Sequence, residues 1–254
     1  MEKDILFVSN WKMNLNCDEE LDFASSNYDK FIEFAEKNKN TIILCPSFLN
    51  LYPLIKIFKE TKIKIGAQDC SKHSKGSFTS QICAESLSLL GCKYCIIGHS
   101  ESIKENKYTT DDILQKFSQL INYKISPIVC IGESIKEYEN GTTIDIIIKK
   151  LEKFFNIINS NIIIPEYLPV CLAYEPLWAI GTGKTPTQDQ LETTFAYIFE
   201  KTQKFCPQVK WKLLYGGSVN SKNIKKMKEI KNINGFLIGS ASLNFQEFEK
   251  IVEL

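Results

Sequence analysis

Four polar side chains of complementary chemistry follow short apolar runs of the sequence. Asn10 and Lys12 follow the first run, His99 follows the fourth, and Glu175 follows the sixth. A carboxylate in a dry pocket can abstract a proton from carbon next to a carbonyl group, and a neutral imidazole can donate to the oxyanion that forms. An ammonium group stabilises that charge and attracts an anionic substrate. One such residue is usually a loop residue or, for His99, a helix cap, but four together predict an active site.

Two glycine-containing segments after later apolar runs are typical of phosphate binding. Gly216, Gly217 and Ser218 follow the seventh run, and Gly239 and Ser240 follow the eighth. In parallel barrels, backbone N–H groups of the loops after strands seven and eight frequently hold a phosphate group. Most Gly-Gly turns are only turns, but two such segments at these places favour a phosphate site.

The segment after Glu175 has the composition of a hinged lid. It begins with Pro176 and contains Gly181 and Gly183. An ordinary surface loop is the alternative, but the position beside the candidate base favours a lid.

Eight apolar runs alternate with amphipathic stretches, and these elements must position the polar residues. Most runs are apolar throughout, as parallel strands covered on both faces are. The predicted strands are Ile5–Val8, Thr41–Cys45, Ile63–Gly66, Tyr94–Ile97, Pro127–Ile131, Val170–Ala173, Lys212–Tyr215 and Gly235–Ile238. Eight strand–helix units predict an α/β fold, a (β/α)8 barrel of eight parallel strands with outer helices, as a single domain over 1–254. A doubly wound open sheet is the alternative, but it usually has fewer strands, and its glycine-rich nucleotide motifs do not occur here.

Helical periodicity fills the segments between the strands. The stretches Ile113–Ile121 and Ile144–Ile158 each place their apolar residues on one helical face. Thr187–Gln190 and Asn244–Glu247 have the capping-box pattern, which predicts a helix start at each.

The charge balance excludes several classes of protein. The chain of 254 residues has 31 basic and 30 acidic residues, and every basic residue is Lys. Without a basic block, a dedicated nucleic-acid or membrane-surface binder is not expected. Only two His residues are present, which excludes a His-rich metal cluster. No apolar stretch approaches the roughly 18 residues of a membrane span, and the first residues lack a secretory pattern, so we expect a cytoplasmic protein.

The nine cysteines predict buried apolar side chains in a reducing compartment. Several lie inside apolar runs, among them Cys130 and Cys171. Cys92 and Cys95 form a C-x-x-C pair, but the pair enters a strand instead of opening a helix, which disfavours a redox role. His73 lies in a polar stretch and is expected to be a solvated loop residue.

Several segments together resemble the triosephosphate isomerase family, whose members are TIM barrels. They run in family order over essentially the whole chain, and the longest of them, the twelve residues at 174–185, is very specific. They are NWKMN at 10–14, GAQ at 66–68, IIGHSE at 96–101, CIGE at 130–133, YEPLWAIGTGKT at 174–185, YGGSV at 215–219 and GFLIG at 235–239.

The resemblance implies an isomerase that interconverts dihydroxyacetone phosphate and D-glyceraldehyde 3-phosphate through an enediolate, with no cofactor and no metal. Glu175 looks like the base, His99 like the neutral electrophile, and Lys12 like the electrostatic partner of the substrate. Asn10 resembles a hydrogen-bond donor to substrate, and Glu101 the carboxylate that supports Lys12. The residues that resemble the phosphate cradle are Gly181, Ser218, Gly239 and Ser240.

The resemblance also implies a homodimer in which a third loop, about Asp69–Ser80, reaches the partner's active site. The family usually places Arg at the position of Ser102 and Glu at the position of Gln81, and these two pair across the interface. Both charges are absent here, so neither is left buried alone, but a weaker dimer is expected. Ser240 stands where the family usually has Gly, and its backbone N–H can serve if the local φ suits Ser.

Two other functions remain as alternatives at this point. A catalytically silent barrel could only bind sugar phosphates or partners, but the intact set of Asn10, Lys12, His99 and Glu175 disfavours this. Another phosphosugar enzyme such as an epimerase often uses paired acidic residues or a metal, and this chain has few His to hold one.

Overall fold

The computed structural model describes residues 4–37, 40–180 and 184–253, and in these ranges eight parallel strands close into a barrel. Each strand pairs with the next one along the chain, and the first pairs with the last. The strands are β1 Leu6–Asn10, β2 Thr41–Cys45, β3 Lys64–Ala67, β4 Tyr94–Ile97, β5 Ser126–Ile131, β6 Val170–Tyr174, β7 Trp211–Tyr215 and β8 Gly235–Ile238. The predicted (β/α)8 barrel is therefore confirmed, and the open-sheet alternative is wrong.

All eight predicted strands are present, with ends that differ by at most two residues. The largest difference is in β1, which begins at Leu6 and continues to Asn10. It continues because the ladder to β2 extends to the pair Asn10 and Cys45. Asn10 is thus held by strand hydrogen bonding and is not a residue of the following loop.

Helices follow the strands on the outside of the barrel. The α-helices are α1 Cys17–Ser26, α2 Tyr28–Lys37, α3 Leu51–Ile57, α4 Ala84–Leu90, α5 Ser100–Asn106, α6 Thr110–Asn122, α7 Ile135–Glu139, α8 Thr143–Asn161, α9 Gln188–Phe205, α10 Ile224–Glu229 and α11 Phe245–Glu253. Short 3-10 turns lie at Phe48–Asn50, Leu177–Ala179 and Ser240–Ser242. The two stretches with helical periodicity form α6 and α8, as predicted.

One predicted capping box is confirmed, and in the other only one of the two hydrogen bonds is present. Thr187 and Gln190 bond reciprocally at the start of α9. At α11, Asn244 Oδ1 accepts from the backbone N–H of Glu247 at 3.1 Å. The Glu247 carboxylate instead accepts from the backbone N–H and the hydroxyl of Ser221, at 2.6 and 3.0 Å. A tertiary partner therefore replaces the local one.

The core has two layers that follow from the strand pattern. Alternate strand residues fill the barrel interior, and among them are Val8, Ile43, Ile128 and Leu237. The other face of each strand packs against the helices in a larger cluster. Because both faces of each strand bury apolar residues, the strand sequences do not alternate between apolar and polar residues.

The cysteine prediction is confirmed for seven of the nine thiols. Cys17 is exposed and Cys83 is half-buried, while the other seven are buried. Both members of the C-x-x-C pair belong to the buried group, and burial raises the pKa of the Cys92 thiol to about 12. A thiolate there is strongly disfavoured, which fits packing residues.

The prediction for His73 needs correction, because its ring is half-buried and stacks on Phe78. The two ring centres are 3.6 Å apart and the planes differ by 2°. In the described ranges, no helix combines the length and apolar character that crossing a membrane requires.

Candidate active site

The carboxyl ends of the strands bring the predicted polar residues to one mouth of the barrel. Asn10 ends β1, His99 lies two residues after β4, and Glu175 directly follows β6. A cleft of about 530 Å³ opens there. Its walls include Asn10, Lys12, His99, Glu101, Ser218, Gly239 and Ser240. Gly181 lies outside the described residues.

Glu175 lies at the edge of this cleft, beneath two residues that line it. Its carboxylate Oε1 is 3.5 Å from His99 Nε2, and the side chain of Glu175 is 2 % exposed. A Cβ on Gly216 would come within 2.7 Å of Glu175 Cγ, so the glycine leaves room for the carboxylate. Gly132 lies closer still on the backbone side, where a Cβ would overlap the carbonyl oxygen of Glu175. The two glycines therefore let β5 and β7 approach the base closely.

Burial raises the pKa of the Glu175 carboxyl above its usual value, while His99, Cys130 and Lys12 oppose that shift. A raised pKa makes a carboxylate a stronger proton acceptor, provided that it is ionised at the working pH. Glu175 is therefore suited to take a proton from carbon.

His99 is a helix cap and a site residue at the same time. Its Nδ1 accepts the backbone N–H of Glu101 at 3.3 Å, at the start of α5. An acceptor nitrogen has no proton, so the ring is neutral and carries its N–H on Nε2. The residue itself is 6 % exposed. The cap thus orients an N–H donor toward the cleft and toward Glu175.

Lys12 adopts a backbone conformation that non-glycine residues rarely adopt, with φ of 55°. Such a conformation costs on the order of 1–3 kcal/mol and persists only where neighbours enforce it. Asn10 Oδ1 accepts from the backbone N–H of Lys12 at 3.2 Å, and Gln68 Nε2 donates to its carbonyl oxygen at 2.8 Å. The Lys12 ammonium contacts Glu101 Oε1 at 2.6 Å. The strained residue therefore places a cation at the cleft.

The loops after β7 and β8 line the same cleft as Lys12. Ser240 begins a 3-10 turn, and the first N–H groups of such a turn have no partner within it. Ser240 is absent from the residues with positive φ, so Ser is tolerated at this position. The Ser218 hydroxyl donates to the carbonyl oxygen of Ala179 at 2.7 Å, which joins the seventh loop to the segment after β6.

The sequence did not single out Gln68 or Glu133, although both lie in the segments that carry the family resemblance. Gln68 holds the backbone of Lys12, as described above. Glu133 is fully buried after β5, and its Oε1 accepts from Trp178 Nε1 at 2.9 Å and from the Tyr174 hydroxyl at 3.2 Å. Burial raises the pKa of its carboxyl. Gln68 directly follows the third strand, and Glu133 follows the fifth after one glycine, which is the kind of signal that identified Asn10 and Glu175.

Comparison with known proteins places this geometry in a family. A sequence profile described as triosephosphate isomerase matches residues 5–254. Among curated relatives, the triosephosphate isomerase of Mesomycoplasma hyopneumoniae strain 232 is 37% identical over 253 residues, covering 97% of this chain and 98% of the relative. That of Wolbachia pipientis wMel is 36% identical over 248 residues, covering 98% and 93%. That of Aquifex aeolicus strain VF5 is 34% identical over 249 residues, covering 97% and 98%.

Proposed function

The chain belongs to the triosephosphate isomerase family, and we propose that the cleft at the strand ends is where it interconverts dihydroxyacetone phosphate and D-glyceraldehyde 3-phosphate. It is an aldose–ketose isomerase by family. The observation that carries the residue roles is the buried Glu175 carboxylate, with its raised pKa, 3.5 Å from the N–H of a neutral imidazole.

Glu175 acts as the base in this proposal. Its carboxylate takes the proton from the carbon next to the carbonyl group, which leaves an enediolate, and returns the proton to the neighbouring carbon. His99 Nε2–H donates to the two substrate oxygens in turn and moves a proton between them. Both protons only change position, so substrate and product have the same atoms and the same overall oxidation state, and the proposed steps use neither cofactor nor metal.

Lys12 and Asn10 supply the charge and the orientation. The Lys12 ammonium offsets the negative charge that develops on the enediolate, and a charge fixed in advance needs no rearrangement during the reaction. Glu101, 2.6 Å away, holds the ammonium in place. Asn10 is 5 % exposed at the end of a strand and can donate to the substrate from a fixed position.

The substrate phosphate lies, in this proposal, between Ser218 and the turn that begins at Gly239 and Ser240. A Cβ on Gly239 would be 3.4 Å from Lys12 Cε, so this turn directly adjoins the cation. Gly181 would add a backbone N–H from the lid, which is proposed from the sequence alone.

A Glu175→Asp variant tests the assignment of the base. Loss of one methylene withdraws the carboxylate by about 1 Å, and such a displacement can cost on the order of a hundredfold in rate. We expect kcat to fall by about that factor in a coupled assay with glyceraldehyde 3-phosphate, with an unchanged thermal midpoint.

The exposed Glu192 on α9 provides the matched control, because Glu192→Asp makes the same change far from the cleft. Normal kcat in Glu175→Asp removes Glu175 from the role of base. A wild-type chain without isomerase activity supports a silent barrel instead.

We also propose a homodimer formed through the third loop. Residues 68–83 contain no helix or strand, and Met13, 94 % exposed, and Phe78 lie on the same side of the barrel. A second cleft of about 520 Å³ adjoins Lys12, and Gln81 and Ser102 both line it. This cleft has the position to receive the partner's loop. Sedimentation over a concentration series tests the dimer, and a monomer at all concentrations overturns it.

A cytoplasmic location is proposed on the cysteine content, since unpaired thiols in apolar surroundings are typical of a reducing compartment. Fractionation of cells that express the chain tests this location, and recovery with secreted proteins overturns it.

A further inference from the structure

Tyr138, on the short helix α7, contacts both ends of the loop that follows β6. This sixth loop, residues 175–187, is described except for 181–183. The ring of Tyr138 packs against Trp178 near the beginning of the loop, with ring centres 4.3 Å apart. Its hydroxyl accepts from Gln190 Nε2 at 2.9 Å, just beyond the end of the loop. One side chain from a neighbouring element therefore connects the two ends.

The first end is fixed by several contacts around Trp178. Its indole N–H donates to the buried Glu133, and the backbone N–H of Leu177 donates to the carbonyl oxygen of Glu133 at 3.0 Å. Tyr138 covers the indole ring from outside. Trp178 thus has partners of different kinds, among them the polar, buried Glu133 and the aromatic, half-exposed Tyr138.

The second end includes a carboxamide that contacts both the loop and Tyr138. Gln190 Oε1 accepts the backbone N–H of Thr187 at 2.8 Å, which closes the capping box of α9. The Gln190 amide nitrogen then points outward to Tyr138. This amide therefore links the start of α9 and the last residue of the sixth loop to α7.

A cavity of about 530 Å³ lies between the two ends, and Tyr138 stands at its border together with Trp178, Pro186 and Gln190. At the border of this cavity, Tyr138 contacts one residue from each end of the loop, Trp178 and Gln190.

We propose that Tyr138 is a positioning residue of the reaction, which sets the spacing of the two ends of the sixth loop. It touches neither substrate nor base and acts through Trp178 and Gln190. This inference rests on the proposed function, in which the sixth loop begins at the base Glu175 and Gly181 would bind the substrate phosphate. A loosened loop exposes the enediolate to loss of phosphate, in which the carbon–oxygen bond breaks, inorganic phosphate leaves, and the remaining enol rearranges to methylglyoxal.

The test is a Tyr138→Phe variant, which removes the bond to Gln190 but keeps the ring on Trp178. We expect KM for glyceraldehyde 3-phosphate, and inorganic phosphate released per turnover, each to rise about two- to tenfold, the range that one neutral hydrogen bond accounts for. The turnover of glyceraldehyde, which lacks a phosphate, should stay unchanged. The exposed Tyr167 provides the matched control, since Tyr167→Phe removes a hydroxyl elsewhere and should alter none of these values.

A second variant separates positioning from general destabilisation. Gln190→Glu keeps the oxygen that caps α9, and its carboxylate can accept from the Tyr138 hydroxyl, so the connection is retained with the donor reversed. We expect near-normal phosphate release in Gln190→Glu alone and raised release in the double variant with Tyr138→Phe.

Wild-type KM and phosphate release in Tyr138→Phe overturn the inference, and so does an equal rise in Tyr167→Phe. Either result leaves the proposed function intact, provided that the wild-type chain isomerises its substrate and that Glu175→Asp lowers kcat about a hundredfold. An inactive wild-type chain overturns the proposed function itself.

Discussion

Gly216 can be tested as the residue that makes room for the catalytic base. A Cβ at this position would lie 2.7 Å from Glu175 Cγ and 3.2 Å from its Oε1. Carbon atoms in ordinary contact are about 3.5 Å apart or more, so Glu175 must retreat by about 0.8 Å in Gly216→Ala. Gly216 is absent from the glycines with positive φ, so alanine is compatible with the backbone there.

Because misplacement of about 1 Å can cost on the order of a hundredfold, we expect kcat to fall between about tenfold and about a hundredfold. Because Glu175 is buried and its Cγ must move, the free energy of unfolding should also fall, by about 1–3 kcal/mol. The assays are steady-state kinetics in the coupled isomerase assay and urea unfolding of the same samples.

Gly66→Ala is the matched control, because it also adds a methyl group to a crowded site on a strand. Its Cβ would lie 2.9 Å from Cys45 Sγ and 3.2 Å from the carbonyl oxygen of Tyr94, away from the base. Overpacking of this kind costs about 1–3 kcal/mol of stability, and kcat should be retained. Wild-type kcat in Gly216→Ala, or an equal loss of kcat in Gly66→Ala, refutes the reasoning.

Three further predictions concern the base, the third loop and the dimer. Since only ionised Glu175 accepts a proton and burial raises its pKa, kcat/KM should fall as the pH falls through a value above the 4.5 of an ordinary Glu; an acid limb at or below 4.5 contradicts this. Lys116 is 1 % exposed and contacts Asp69 at 2.7 Å at the base of the third loop. Lys116→Met should therefore lower the free energy of unfolding by about 3 kcal/mol in urea. The same substitution at the exposed Lys153 should leave it unchanged. Ser102→Arg with Gln81→Glu should tighten the proposed dimer about tenfold in sedimentation, because a charge-assisted bond exceeds a neutral one by about 1 kcal/mol or more; an unchanged dissociation constant shows that other contacts suffice.

The strands and the principal site residues could be predicted from the sequence because both depend on local patterns. Unbroken apolar runs identify strands covered on two faces, and a polar residue at the end of such a run lies at the mouth of the barrel. Asn10, His99 and Glu175 were found in this way, and the structure brings them together.

Other features depend on contacts between distant segments, and the sequence does not reveal them. The left-handed backbone of Lys12 is enforced by Gln68, which is 56 positions away along the chain. The carboxylate of Glu247 accepts from Ser221 instead of from the backbone N–H of Asn244, the partner that a capping box would supply. Tyr138 on α7 and Gln190 on α9 are 52 positions apart along the chain. In each case the contacting residue comes from another strand–helix unit, so local sequence patterns do not predict the contact.

The reactivity of the thiols inside the barrel can report on unfolding of the protein. Cys45, Cys130 and Cys171 point into the closed barrel, and burial raises the pKa of each thiol, to about 12 for Cys171. A maleimide or disulfide reagent reaches such groups only when strands separate. At the surface, hydrogen bonds with Ser86 lower the pKa of the half-buried Cys83, which should react early. The rate at which the slow thiols are modified therefore measures how often the barrel opens, in the native enzyme and without any introduced label.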